Sequence, residues 1–137
     1  RLVLLEEEAA GAERALTLNM REGQRVFHSI IVHYENDIPV QIEDRYVNAQ
    51  IAPQYLQQDF VEETPYAYLT RVAPLTAGEH VVEAMLANPS ECELLQIERG
   101  EPCLLILRRT WSGKTPVTAA RLIHPGSRHR LEGRFTK

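Results

Sequence analysis

Two stretches of this chain each read as a strand, a tight turn and a returning strand, and that pattern restricts the fold more than any other feature. Arg25 to Glu35, RVFHSIIVHYE, is dense in β-branched and aromatic residues, which suit a pleated, half-buried surface. Asn36-Asp37-Ile38-Pro39 supplies turn residues, and Val40 to Asn48 returns as a second strand. Pro102 to Ser112, PCLLILRRTWS, repeats the plan through Gly113-Lys114-Thr115-Pro116 to Val117–His124. Strands joined this way lie antiparallel.

The segments between the hairpins carry helix signals. Thr64-Pro65 reads as N-cap and first helical residue of TPYAYLTRV, and Asn88-Pro89 plays the same part for NPSECELLQI, which Gly100 is expected to end. Ala9 to Leu18 suits a short helix weakened by Gly11, and Pro53 is placed near the start of another in PQYLQQDF. Leu2–Glu8 and Glu79–Ala87 are assigned to strands, and GSRHRLEGRF to a last short one. The expected fold is one α+β domain spanning residues 1–137, with a largely antiparallel sheet of about six strands and flanking helices. No repeat or interdomain linker interrupts it.

Strand alternation sorts the polar residues by face. On the first returning strand Gln41, Glu43, Arg45 and Val47 share one side, and Val40, Ile42, Asp44 and Tyr46 the other. On the last, Thr118, Ala120, Leu122 and His124 oppose Val117, Ala119, Arg121 and Ile123. Faces that mix apolar and polar groups fit a ligand cavity, and they equally fit a half-covered sheet edge.

Several function classes are excluded. A net charge of −4 and a pI near 5.7 argue against nucleic-acid binding through bulk charge. No apolar run approaches a membrane span, and Glu6-Glu7-Glu8, read as a solvated surface, rules out a signal-peptide layout at the N-terminus. Cys92 and Cys103 have no zinc spacing and read as reduced thiols of a cytoplasmic protein. GxSxG, HExxH, P-loop and GxGxxG motifs are absent. His28 and His33 fall on opposite strand faces, which suits no shared metal; a turn through PGSR could bring His124 and His129 together, but no acidic or thiol partner is near in sequence. Neither catalysis, metal nor cofactor is expected.

The order of ENDIPVQIEDRYVN, TPYAYLTRV, ERGEPCLLILRRTW, GKTPVTAARLI and HPGSRHRLEGRF resembles the effector-binding UTRA domain of GntR-superfamily bacterial repressors, HutC subfamily, from about Ala9 onward. The closing PGSRHRL departs from the commoner family pattern and keeps only Gly126 and Arg128 at matching places. The resemblance implies a chorismate-lyase-like fold, a homodimer, and operator DNA read by an N-terminal winged helix-turn-helix domain that lies outside these residues. It also implies a small-molecule inducer, and its nearest branch implies urocanate.

The same resemblance marks the site residues. Glu43 matches the family's acidic pocket residue, and Thr64 falls where a Ser or Thr contacts ligand, at a helix N-terminus that favours an anion. His33 stands where sugar-phosphate-binding members carry Arg, which argues against a phosphosugar. Thr118 and His124 match two pocket positions that are usually Glu and Tyr. His80 matches an often basic position, and Tyr66 either closes the cavity or packs. Asp44 and Arg45 are expected at the surface or a dimer contact, and Arg121 is a weak candidate on the far face. Three alternatives stay open: a chorismate-lyase-like enzyme, which would need arginines for two carboxylates, a UTRA sensor of another small anion, and a dimerisation module with a vestigial pocket.

Overall fold

The computed structural model describes residues 1–137. Six strands, β1 (Leu2–Ala9), β2 (Arg25–Glu35), β3 (Ile38–Asn48), β4 (Ala77–Leu86), β5 (Pro102–Ser112) and β6 (Thr115–Pro125), form one sheet in the order β1-β2-β3-β6-β5-β4. Every pairing is antiparallel. The β3–β6 pairing joins the two hairpins and sets Glu43 opposite Leu122, Arg45 opposite Ala120 and Val47 opposite Thr118.

Both faces of the sheet are covered. On one, α2 (Pro65–Val72) and a 3-10 turn at Tyr55–Gln57 bury Tyr55, Tyr68 and Leu69 against Phe27, Ile31 and Val47. On the other, α1 (Ala12–Thr17) packs Ala15 and Leu18 on Val26 and Ala119, and α3 (Pro89–Leu95) packs Leu95 on Val32, Ile42 and Ile123. Asn88 caps α3 through a capping box with Glu91, while the Thr64 hydroxyl accepts from the Ala67 N–H to cap α2.

Several local expectations are corrected. The β2–β3 turn narrows to Asn36-Asp37, both left-handed at φ 51° and 64°, so Ile38 and Pro39 belong to β3. Pro39 has no N–H for the ladder, and the register jumps there with Val40 as the extra residue. A second bulge inserts Val117 between Pro116 and Thr118. Val117 therefore joins the α2-side core with Thr118 instead of facing away from it. Helix α3 ends at Gln96, left-handed at φ 55°, four residues before Gly100. The helix expected from Pro53 is only the 3-10 turn, and GSRHRLEGRF forms a 3-10 turn at Gly126–Arg128 with no strand.

Candidate effector site

The α2-covered face carries a continuous buried polar row. Arg45, 3% exposed, donates from Nε to Glu43 Oε2 at 3.0 Å and from Nη1 to Thr118 Oγ1 at 3.1 Å. Thr118 continues to Thr110 Oγ1 at 2.9 Å, and His33 Nε2 donates to the other Glu43 oxygen at 3.0 Å. Ser29, opposite Arg45 on β2, hydrogen-bonds the Tyr55 hydroxyl at 2.8 Å. Burial would raise the Glu43 pKa, but the Arg45 charge and the His33 and Arg45 hydrogen bonds outweigh it and hold the carboxyl below its ordinary value. Burial pushes the Tyr55 phenol up to about 12 against the Ser29 hydrogen bond.

This arrangement places most of the expected residues together. His33, Glu43 and Thr118 are joined through Arg45. Thr64 shares a groove of about 310 Å³ with His33, Ile31 and Phe60, its acceptor already used by the α2 cap. Tyr66 and Thr118 line a cavity of about 20 Å³ with Arg45 and Thr110. That holds about one water, so a larger guest there requires α2 to shift from the sheet. His124 lies further along β6, where Gln41 Nε2 donates to its Nε2 at 2.8 Å, and the His129 ring stacks on it at 3.9 Å as the PGSR turn allowed. His80 stands apart on the exposed edge strand and accepts from Arg108 Nε, whose guanidinium lies over the Tyr66 ring.

Arg45 is the residue that sequence reasoning misplaced. It is no surface group: it is the buried cation of the site. The signal was present, because Arg45 shares the face of Glu43, but alternation does not tell which charged residue of a mixed face is covered. Ile106, Ala120 and Leu122 form a buried apolar patch beside the row, level with Glu43 and Arg45. A floor of this kind, with the Arg45–Glu43 pair beside it and the His33 and His124 imidazoles further along, suits a small flat anion.

Asp44 faces the opposite side. His28 there donates from Nδ1 to Glu8 and from Nε2 to Asp44 Oδ1 at 2.6 Å, so Glu8 is more than the solvated charge expected. His28 stacks on Tyr46, whose ring also carries the Arg14 guanidinium, and Arg121 lies 3.7 Å from both Asp44 and Glu91. Glu6, Glu8 and His28 bring ligand-type atoms within 4.8 Å of one another, but both His28 nitrogens are already engaged.

The sheet is packed on both faces by helices, with a polar row under α2, and the UTRA domain family matches residues 1–130. The chain belongs to this family. It is 79% identical over 136 residues to the histidine utilization repressor of Pseudomonas putida, covering 99% of this chain and 55% of that protein. It is 57% identical over 134 residues to the histidine utilization repressor of Klebsiella aerogenes, covering 98% and 56%. The chain thus spans about half the length of the curated relatives it matches. The crystal structure of the C-terminal domain of the histidine utilization repressor from Pseudomonas syringae pv. tomato superposes with a TM-score of 0.97 at 78% identity, covering 100% of this chain and 97% of that one. The effector domain of PhnF from Mycobacterium smegmatis shares the fold at a TM-score of 0.92 and 20% identity, covering 99% and 85%. These relatives bear the names of regulators, as the non-enzymatic reading expects, and no helix is long and apolar enough to cross a membrane.

Proposed function

We propose that this chain is the ligand-sensing and dimerisation domain of a bacterial repressor of histidine-utilization genes, with urocanate as inducer. Operator DNA is bound by a separate N-terminal winged helix-turn-helix domain of the longer protein, and the site lies in the cytoplasm. The observation that carries this reading is the buried Arg45 held between Glu43 and Thr118 beside an apolar floor. Arg45 offers its guanidinium to a ligand carboxylate with Thr118 and Thr110 beside it. Glu43, in direct contact with Arg45, and His33 carry the polar row on towards Gln41 and His124. Thr64 and Tyr66 form the rim on the α2 side, His80 stands behind Tyr66 through Arg108, and His124 is the far wall.

Calorimetric titration of the chain with urocanate tests this, with histidine and glucosamine-6-phosphate as controls. Selective saturable binding of urocanate is expected. Mass action then stabilises the fold by about 2.7 kcal/mol at a ligand concentration roughly a hundredfold over Kd. Binding of the sugar phosphate alone would assign the domain to a different small anion, and silence towards all three would favour a dimerisation module.

A further inference from the structure

We propose that the slot over the His124 ring is the imidazole-binding subsite of the effector site, and that His129 fills it as an intramolecular stand-in that the effector displaces. This rests on the urocanate-sensing reading. The two rings lie face to face, 3.9 Å between centroids and 16° from parallel. His124 is 4% exposed and takes a hydrogen bond from Gln41 at Nε2, yet its Nδ1 is buried without a partner. His129 Nε2 is buried without a partner as well. Protein interiors rarely leave such atoms unpaired, so the stack holds two polar atoms at a cost that releasing His129 relieves.

Burial, aided by His129, lowers the His124 pKa to about 4, so at neutral pH the ring that floors the slot is uncharged and takes a flat ring by stacking. The ring of an imidazole acid can replace that of His129 in the same plane, and the displaced His129 then pairs its buried Nε2 with water. The slot also adjoins the polar row: Gln41 pairs with His33 across β2 and β3 and lies two residues from Glu43 on the same face. A sugar phosphate has no flat ring to stack there.

The segment that carries His129 is fixed on one side and loose on the other. Arg128 donates to the carbonyls of Pro39, Leu95 and Gln96 at 2.6–2.9 Å. Gly126 lies so close to the Pro102 carbonyl that an added Cβ would sit 2.8 Å from it. Beyond His129 the chain to Lys137 is exposed, with one side-chain pair of its own, Arg130–Glu132. His129 can therefore swing out about an anchored Arg128 with little else to break, freeing residues 129–137 as urocanate enters.

Titration of the wild-type chain, His129→Ala and His129→Phe with urocanate, with NMR of the histidine ring signals, tests the proposal. Removing the competing ring is expected to tighten binding about threefold to tenfold, the worth of one aromatic pair. His129→Phe keeps a ring in the slot and should bind no tighter than wild type. Saturating urocanate should shift the His129 ring signals towards those of an exposed histidine. Equal or weaker binding by His129→Ala, or His129 signals that stay put when the site is full, would overturn the displacement and leave the sensing reading standing. Absence of urocanate binding by all three chains would overturn both.

Discussion

Glu43 and Asp44 are neighbours on β3 whose carboxylates belong to different networks on opposite faces of the sheet. Glu43 bonds Arg45 and His33 under α2, while Asp44 bonds His28 on the side of α1 and α3. One backbone step thus joins the proposed effector site to the packing of the other layer.

The Glu43–Arg45 pair is almost wholly buried, so either partner left alone becomes an uncompensated interior charge. Arg45→Ala should cost about 3–5 kcal/mol in urea unfolding. Replacing both residues, Glu43→Leu with Arg45→Met, should cost less than Arg45→Ala alone, because no buried charge remains. A single variant as mild as a surface substitution would show that water reaches the pair.

Two histidines should bend the stability–pH curve in opposite senses. At His28 burial lowers the pKa, but hydrogen bonds to Asp44 and Glu8 outweigh it and leave the folded value raised. Its stabilisation is complete below the unfolded value of 6.5 and is lost as pH rises through the folded value. His124, lowered to about 4, contributes fully above 6.5 and loses that contribution as pH falls towards 4. In Tm measured against pH, His28→Asn should flatten the alkaline side and His124→Asn the acid side between 6.5 and about 4. The reverse assignment would refute the His28 bonds to Asp44 and Glu8 as the source of the raised value.

Thr64 has two roles to separate. Thr64→Ala removes the α2 cap and should cost about 0.5–2 kcal/mol of stability, which Thr64→Ser restores. If Thr64 also meets the ligand, the alanine variant binds urocanate more weakly than its lost stability explains. Titration at low temperature, where wild type and variant are both fully folded, separates the two.

Gly126 is required for space and not for backbone freedom. Its φ is not in the left-handed region, yet an added Cβ would press on the Pro102 carbonyl, which belongs to a sheet strand and yields little. Gly126→Ala should destabilise by about 1–3 kcal/mol and loosen the Arg128 clamp; thermal unfolding at wild-type Tm would contradict this.

The six sheet strands, both hairpins, the caps at Thr64 and Asn88, and most of the face division of β3 and β6 are legible in the sequence, although a seventh strand expected in GSRHRLEGRF does not form and Val117 changes side. Those features follow from interactions within a few residues: alternation, turn chemistry, and side chains that bond their own backbone. The family resemblance, carried by a few motifs, added the fold and the site positions, and the comparisons bear out the family. Tertiary packing settles the rest. It lays β3 against β6, which brings Arg45 within reach of Thr118, 73 residues away, and Gln41 within reach of His124, 83 away. It also makes Val40 and Val117 bulge, buries Arg45 while its neighbour Asp44 turns to the other layer, and folds His129 back on His124. These outcomes depend on which strands become neighbours and what packs over them, a choice made by burial of the whole sheet that no local pattern encodes.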